Sequence, residues 1–311
     1  MIIELRQMNG KILRIERLKE FCFTQTYGVA CDSLWAYFFS QTPVDEIVSI
    51  RGYENQKLIF NGFCDCQRER EDKNGYEIYF YARSSASVLV DNEAMPLSYN
   101  KPSANQLCFN IARGMGFNSS LPNIYSETKY EVTKGTSCYG AISQYVLLIS
   151  GKSIGVTPNN EIRIIDYSDN VLNLNKYQVV SAVHTINRSE PYLEIAFKKS
   201  NAQPDYCVHT KSRLGEKVGI NKSMLINLSS LPQWQRENTV LERLKSSYKD
   251  YKVLQVTISG YVGEGLLQRF NYKEYNDYAL SEKRYFCNKN GEFTAMTLKK
   301  RTDIKEITYV D

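Results

Sequence analysis

Three Asn-Gly dipeptides separate runs of alternating apolar and polar residues, and these turns constrain the fold of the chain more than any other feature. They are Asn9-Gly10, Asn74-Gly75 and Asn290-Gly291. Asn-Gly is favoured in type I′ turns because both central residues there have positive φ angles. The sequence therefore predicts three tight β-hairpins. A fourth dipeptide, Asn61-Gly62, lies inside an apolar run, and we interpret it as a strand interruption or bulge.

Two of these hairpins resemble each other in sequence. Residues 73–83 and 289–299 both begin with Lys-Asn-Gly, continue as an alternating strand and end on a basic residue. A repeated unit within one chain indicates duplication of a domain. Short strands also resemble one another by chance, so duplication and coincidence both explain the likeness.

The hydrophobic period changes from that of strands to that of helices in the middle of the chain. Apolar residues recur at helical spacing from Ala104 to Ala112, with Ser103 as a candidate N-cap. A second helix is expected between the candidate cap Ser137 and the stop signal Gly151. The sequence therefore predicts a compact α/β unit here.

After this unit the alternating pattern of strands returns. Strands are expected at residues 177–184, 192–197, 254–262, 266–272 and 284–300, with a polar loop near 198–213. One helix is expected among them, near residues 232–247 and opened by Pro232, because proline is favoured in the first turn of a helix.

The chain is therefore predicted to be mainly β with an α/β insert. We expect a first barrel-like β domain at residues 1–97, a small two-helix α/β domain at 98–167 and a second barrel-like β domain at 168–311. A chain of 311 residues is long enough for several cores of ordinary size.

Composition indicates a globular protein. Hydrophobic residues make up 42% and charged residues 23%, and no run approaches the ~20 apolar residues of a membrane helix. The first residues, Met-Ile-Ile-Glu-Leu-Arg, lack the basic-then-apolar order of a secretory signal, so we expect cytosolic synthesis and no membrane contact. The net charge of +5 is spread along the chain, which allows at most transient contact with nucleic acid.

Residues for metal binding or catalysis are scarce. The eight cysteines are scattered, Cys64 and Cys66 are their one close pair, and His184 and His209 are the two histidines. A zinc site needs about four ligands, so we expect no metal site. Gly151-Lys152-Ser153 lacks the earlier glycine of a phosphate-binding loop. We therefore expect no cofactor and no catalytic residues.

One segment resembles a known family. Residues 81–91 read Tyr-Ala-Arg-Ser-Ser-Ala-Ser-Val-Leu-Val-Asp and follow a strand. This resembles a segment of baseplate hub proteins from contractile phage tails and related phage-derived bacteriocins, the late control protein family. The family pattern of arginine, small or polar residues and Leu-Val-Asp is matched by Arg83, Leu89 and Asp91. Ala82 stands where the family often has glycine, and Val88 where it often has an acidic residue.

The resemblance implies a structural protein. Such hubs are homotrimers whose chains each supply two barrel-like domains, so that six similar barrels adapt a sixfold tail tube to a threefold spike. It implies spike and tail tube proteins as partners, with tape-measure and baseplate wedge proteins as further candidates. It places the protein in a virion tail or bacteriocin baseplate assembled in the bacterial cytoplasm.

The resemblance also suggests a role for its own residues. Arg83, Leu89 and Asp91 are expected to form a structural corner where a strand leaves the sheet. Arg83 and Asp91 are expected to interact there through hydrogen bonds or an ion pair.

Two other classes of function fit the composition. One is a β-rich module that binds carbohydrate or nucleic acid, because the 23 tyrosines could serve as stacking platforms. The other is a tail-associated cell-wall hydrolase, which would need an acid and a base converging in one cleft.

Overall fold

The computed structural model describes residues 1–126, 129–198, 206, 208–229, 233–301 and 309–310. The chain divides into two compact units, and each is built from more than one segment. The first unit contains Met1–Asp169, Thr257–Gln268 and Ser281–Met296, and the second contains Asn170–Val256, Arg269–Leu280 and Thr297–Asp311. The three-domain division predicted from the sequence is not decided by this grouping and stays a prediction.

The first unit begins with seven strands. They are β1 (Ile2–Gln7), β2 (Ile12–Ile15), β3 (Glu20–Thr26), β4 (Ser33–Ser40), β5 (Ile47–Glu54), β6 (Lys57–Asp72) and β7 (Gly75–Ser84). Neighbours in this region pair antiparallel. Side chains alternate across the sheet, so Leu34 and Phe38 of β4 and Phe80 of β7 are fully buried in one core.

The remaining elements of the first 169 residues form a small α/β part with its own core. They are α1 (Ser87–Asp91), β8 (Ser98–Tyr99), α2 (Ala104–Ala112), β9 (Asn118–Ser119), β10 (Tyr130–Glu131), α3 (Cys138–Ser150), β11 (Ser153–Val156) and β12 (Glu161–Ile165), with a 3₁₀ turn at Arg113–Met115. The two predicted helices are confirmed, and their caps explain their bounds. The side chains of Ser103 and Ser137 accept backbone N–H groups at the two starts, and Gly151 ends α3 in the left-handed region.

The other elements lie wholly or partly in the second unit. They are β13 (Val171–Asn173), a 3₁₀ turn (Leu174–Lys176), β14 (Val179–Ile186), β15 (Glu194–Lys198), β16 (Val208–Lys211), α4 (Arg213–Val218), β17 (Ser223–Asn227), α5 (Gln233–Ser247), β18 (Lys252–Ser259), β19 (Arg269–Tyr272), β20 (Tyr275–Asn288), β21 (Gly291–Lys300) and β22 (Tyr309–Val310). Helix α5 packs Val240 and Leu244 against Ile195 and Phe197 of β15. The helix expected near 232–247 is therefore present, while Pro232 lies outside the described residues.

The polar loop expected near residues 198–213 contains regular structure in its described part. β16 pairs with β15 inside that range, and α4 begins at its end. Residues 199–205 and 207 lie outside the described residues. The polar composition of this stretch concealed the strand, because a strand whose side chains are mostly polar lacks the apolar alternation that marks a strand in sequence.

The large sheets confirm the mainly β fold class. The main sheet has 13 strands, and eleven of them follow the order β14-β18-β21-β20-β3-β4-β7-β6-β5-β1-β2. In the first unit, residues 282–287 of β20 pair antiparallel with residues 21–26 of β3. Two strands that lie far apart in the sequence thus pair with each other. The sequence analysis placed these strands in different domains and did not predict their pairing.

The three Asn-Gly hairpins are present, but their turns differ from the predicted type. β1 pairs with β2, β6 with β7, and β20 with β21 across these turns. Only the glycines, Gly10, Gly75 and Gly291, have positive φ, whereas a type I′ turn needs it at the asparagine as well. Side-chain acceptors add to the backbone bonds of these turns, as where Asp72 Oδ1 accepts the Asn74 N–H at 2.7 Å.

The interpretation of Asn61-Gly62 as an interruption or bulge is wrong. β6 runs through both residues, which pair with Arg51 and Ile50 of β5. Glycine is required at position 62 for a different reason, because a Cβ there would lie 2.1 Å from the carbonyl oxygen of Arg83. The glycine permits a close approach between β6 and the end of β7.

A buried lysine binds the backbone of the glycine-rich loop at residues 260–265 in the first unit. The ammonium group of Lys283 donates hydrogen bonds to the carbonyl oxygens of Val262 (3.3 Å) and Glu264 (2.8 Å), and its residue is 2% exposed. Burial lowers the pKa of Lys283 to about 8, although Asp32 and Glu264 oppose the shift. Burial in turn raises the pKa of Asp32 to about 6.

The stability of wild type relative to the Lys283→Met variant should increase as the pH rises from about 8 to about 10.4. In this window the unfolded chain holds a proton on Lys283 that the folded chain has lost, so rising pH favours the folded wild type. Urea unfolding of both proteins across this range measures the difference. Lys289→Met, at an exposed position, serves as the control. Equal pH profiles for the two variants would contradict the assignment.

The Gly62→Ala variant should unfold at lower urea concentration, with a loss of about 1–3 kcal/mol, because the added methyl group meets the backbone of β7. The matched control is Gly114→Ala, where a Cβ would meet no atom within 4 Å. That control should be neutral or stabilised by up to about 1 kcal/mol. Equal free energies of unfolding for the two variants would show that β6 and β7 are not in close contact at Gly62.

Candidate structural site at Arg83

The segment that resembles the hub family lies where β7 leaves the sheet. Arg83 is next to last in β7, and the chain then turns into the short helix α1, which ends at Asp91. Leu89 of α1 is fully buried in the core of the α/β part. The segment thus connects the main sheet to that second core within the first unit.

Small residues make the turn between β7 and α1 possible. The backbone N–H of Ser84 donates to the carbonyl of Asp32 at 2.8 Å, and the Ser84 hydroxyl accepts the Asp32 N–H at 3.1 Å. The next N–H, that of Ser85, donates to the carbonyl of Asn61 at 2.8 Å. These bonds attach the last residue of β7 and the residue after it to the segment before β4 and to β6. The Ser84 hydroxyl takes part in one of them, whereas the buried Ser85 hydroxyl has no hydrogen-bond partner in the described structure.

A β-bulge in β6 brings a second carboxylate to Arg83. In the pairing with β7, Cys64 lies opposite Ala82 and Cys66 lies opposite Tyr81, which leaves Asp65 as an extra residue. Sequence reasoning missed Asp65, because a bulge has no simple signature within a strand. Asp65 is, in retrospect, the charged residue between the two cysteines of an otherwise apolar stretch.

The Arg83 guanidinium group binds both carboxylates in forked geometry. It donates to Asp91 at 2.9 Å (Nη1–Oδ1) and 2.7 Å (Nη2–Oδ2). It donates to Asp65 at 2.7 Å (Nε–Oδ2) and 3.2 Å (Nη2–Oδ1). The expected contact between Arg83 and Asp91 is therefore present, and Asp65 extends it to β6. A planar guanidinium suits this arrangement because its donors match two carboxylates at once.

The ion pairs of Arg83 stabilise the charged forms of both Arg83 and Asp91. Hydrogen bonds to Asp91, and then to Asp65, raise the pKa of Arg83 further above its ordinary value. The same bonds with Arg83 lower the pKa of Asp91. The Arg83 side chain is 31% exposed and that of Asp91 is 51% exposed, so solvent weakens the interaction. Arg83 thus links β7 to β6 through Asp65 and to α1 through Asp91. A role for this contact in a larger assembly stays a proposal.

The two histidines lie in separate structural contacts. His184 Nε2 is 3.0 Å from the Tyr278 hydroxyl, and its ring lies 4.5 Å from that of Tyr275. His209 Nδ1 is 2.5 Å from Glu194 Oε1. Among the residues that the structure describes, no three potential metal ligands gather in one place. Within the same residues, no helix combines the length and hydrophobicity needed to span a membrane.

Solved structures of tail proteins share this fold over nearly the whole chain. A 43 kDa tail protein of prophage MuSo2 from Shewanella oneidensis superimposes with a TM-score of 0.81 at 10% identity, covering 96% of this chain and 97% of that one. A tail protein from Neisseria meningitidis gives 0.75 at 14% identity, with 96% of each chain covered. No protein-family model and no curated protein matches the sequence.

A component of the type VI secretion system is also similar. The Escherichia coli protein, described as structurally similar to the T4 tail proteins gp27 and gp5, gives a TM-score of 0.58 at 9% identity, covering 99% of this chain and 79% of that one. The resemblance to baseplate hub proteins that the sequence suggested is thus confirmed at the level of the fold. The chain has the fold of these phage tail proteins and of this component of the type VI secretion system.

Arg83→Ala should destabilise the protein by about 1–2 kcal/mol, because two carboxylates lose a shared charged partner at a partly exposed site. Arg83→Lys should restore less than half of this loss, since an ammonium group cannot bind both carboxylates in forked geometry. Chemical unfolding measures each value. Lys19→Ala is the control: it breaks the more exposed Lys19–Glu77 pair and should cost less than Arg83→Ala.

The difference in stability between wild type and Asp91→Asn should also shrink as the pH falls below about 4. The pKa of Asp91 is lowered in the folded state, so the ion pair stabilises the protein above the ordinary aspartate pKa and is lost as acid protonates the folded carboxylate. A difference that stays constant down to acid unfolding would mean that the pair contributes nothing.

Proposed function

We propose that this protein is the baseplate hub of a contractile phage tail or of a phage-derived bacteriocin. The observation that supports this most is the match in fold to a prophage tail protein over 96% of one chain and 97% of the other. A shared fold over the full length of both chains includes every part of the architecture, whereas a match to a single barrel would fit many unrelated proteins.

The proposed hub is a homotrimer that adapts threefold to sixfold symmetry. Two similar β parts in each chain would give a trimer six similar parts around one axis. The order of strands supports this, because β3-β4-β7-β6 and β14-β18-β21-β20 are two runs of four strands with related hairpins. A ring of six similar parts could contact a sixfold tube on one side and a threefold spike on the other.

The partners follow from this role. Other similar structures are complexes of Francisella PdpA and VgrG, with a TM-score of 0.58 for the half-lidded form. With the similarity of the Escherichia coli protein to gp27 and gp5, they support a spike protein as the first partner of this chain. Tail tube, tape-measure and wedge proteins are the further proposed partners, in a particle assembled in the bacterial cytoplasm. The role requires no catalysis and no cofactor, and DNA would at most pass through the ring.

The purified protein should have a mass in solution of three times the 35.9 kDa of one chain. Size-exclusion chromatography with light scattering measures this, over a range of concentrations because assembly depends on mass action. Addition of a spike protein from the same tail should increase the trimeric fraction. A protein that is monomeric under all of these conditions would contradict the trimeric hub. The alternative function, a carbohydrate- or nucleic-acid-binding module, predicts such a monomer.

A further inference from the structure

The chain contains four Asn-Gly dipeptides, and they lie in different surroundings. Three of them close hairpins, and the fourth lies inside β6. In such a dipeptide the backbone nitrogen of the glycine can attack the side-chain amide carbon of the asparagine, because glycine has no Cβ to obstruct the approach. The surroundings of each dipeptide therefore decide how readily this reaction takes place.

The reaction is deamidation, and water is its co-reactant. The bond from the glycine nitrogen to the asparagine Cγ forms, the Cγ–Nδ2 bond breaks, and ammonia leaves with the proton that the glycine nitrogen has lost. Water then hydrolyses the resulting succinimide ring at one of its carbonyl groups. Hydrolysis at one carbonyl gives aspartate. Hydrolysis at the other gives isoaspartate, in which the main chain runs through the former side chain.

The strand β6 protects Asn61. The glycine that follows, Gly62, is buried and pairs with Ile50 of β5 on one side and with Ser84 of β7 on the other. The side-chain amide of Asn61 donates to Asn160 Oδ1 at 3.2 Å. Ring closure at this site requires the backbone to leave both ladders, and a strand between two others opens only rarely.

Two hydrogen bonds hold the reacting groups of the first hairpin. The N–H of Gly10 donates to the carbonyl of Gln7 at 2.9 Å. Asn9 Oδ1 accepts the N–H of Lys11 at 2.8 Å. The glycine nitrogen and the asparagine side chain are thus both engaged, and ring closure must disturb both bonds.

The turns at Asn74 and Asn290 are more open. Both asparagines are exposed, and within the described residues their side-chain amides have no hydrogen-bond partner. The two turns share one hydrogen bond. Asp72 Oδ1 accepts the N–H of Asn74 at 2.7 Å. Asn288 Oδ1 accepts the N–H of Asn290 at 2.8 Å. The turns therefore form a matched pair whose differences can be compared directly.

The first difference is the room around the glycine. A Cβ built on Gly75 would lie 2.7 Å from the carbonyl oxygen of Ser40 and 2.8 Å from the ring of Phe39. A Cβ built on Gly291 would meet nothing nearer than the ring of Phe293 at 3.8 Å. Ring closure moves the glycine backbone, so close packing opposes it at Gly75 and leaves it free at Gly291.

The second difference is charge. The attack begins when the glycine nitrogen loses its proton, which leaves a negative charge on that nitrogen. The carboxylate of Asp72 lies two residues before Asn74 and repels this charge. The matching side chain in the other turn, that of Asn288, is neutral. Both differences favour the reaction at Asn290.

We propose that Asn290 is a site of deamidation in the folded protein. It reacts before Asn74, and Asn9 and Asn61 remain unchanged. The modification needs no enzyme, because the attacking nitrogen and the amide that it displaces belong to neighbouring residues. Deamidation at this turn does not depend on the proposed role of the protein as a hub.

The modification should weaken contacts that begin two residues after Asn290. Glu292 Oε2 lies 2.6 Å from the hydroxyl of the buried Tyr285, and the carbonyl of Glu292 accepts the N–H of Gly260 at 2.8 Å. Isoaspartate adds one backbone carbon to the turn, which shifts the start of β21 against β20. The isoaspartate form should therefore unfold at lower urea concentration than the unmodified protein.

The first test follows all four sites by peptide mass spectrometry, with isoaspartyl methyltransferase to label isoaspartate, while the folded protein is incubated at mildly alkaline pH. Isoaspartate should accumulate at position 290 at least about threefold faster than at 74, and at least about tenfold faster than at 9 and 61. In concentrated urea the four rates should converge, because the folded surroundings are lost. Equal rates at 290 and 74 in the folded protein, or a faster reaction at 9 or 61, would overturn the proposal.

The second test exchanges the matched side chains of the two turns. Asn288→Asp keeps an acceptor for the N–H of Asn290 and should slow the reaction there by at least about twofold. Asp72→Asn should speed the reaction at Asn74 by a similar factor. Unchanged rates in both variants would overturn the role assigned to charge.

The third test measures the effect on stability. Asn290→Gln should resist the reaction, because its longer side chain would have to close a larger ring. After equal incubation, the urea midpoint of wild type should fall in proportion to its isoaspartate content, and that of Asn290→Gln should fall less. A wild-type protein that is largely converted at position 290 and keeps its urea midpoint would overturn the predicted effect on the contacts of Glu292.

Discussion

The ladder between β20 and β3 is the interaction on which the first unit depends. It brings residues 282–287 into a core that the first 85 residues otherwise build, and Tyr285 is fully buried there against the ring of Phe21 at 5.0 Å. The Tyr285 hydroxyl lies 3.0 Å from Glu54 Oε2 and 2.6 Å from Glu292 Oε2, and it donates its single proton to one of these carboxylates at a time. A buried tyrosine ring stabilises the core through its buried apolar area, and the hydrogen bond of its hydroxyl fixes the orientation of the ring. The stability of the first unit therefore depends on residues that lie far along the chain from the strand they pair with.

The Arg83 corner connects that sheet to the α/β part by two different means. Leu89 is buried in the α/β core, which anchors α1 through the hydrophobic effect. The guanidinium of Arg83 holds Asp65 and Asp91 at the surface, where each bond is weaker but its geometry is specific. Packing supplies most of the free energy in such an arrangement, and the forked contact fixes the direction in which the chain leaves β7.

The parts of the fold that could be predicted from the sequence are those with local causes. The Asn-Gly hairpins and the helices capped by Ser103 and Ser137 follow from the backbone preferences of a few adjacent residues. The bulge at Asp65 and the role of Gly62 could not be predicted, because both depend on the approach of β7. The pairing of β20 with β3 has no local signal either, since strand order is decided by packing across the whole chain.

The bulge at Asp65 also limits how the length of β6 can change. Cys64 lies opposite the buried Ala82, and Gln67 and Glu69 lie opposite the buried Phe80 and Ile78, so one inserted residue keeps both halves of the strand on the same face. Gln67 and Glu69 accept the N–H groups of Ile47 and Val44. Deletion of a single residue here would therefore turn the side chains of the distal half of β6 to the opposite face of the sheet. Natural variation in this region should consist of substitutions, or of an insertion and a deletion together.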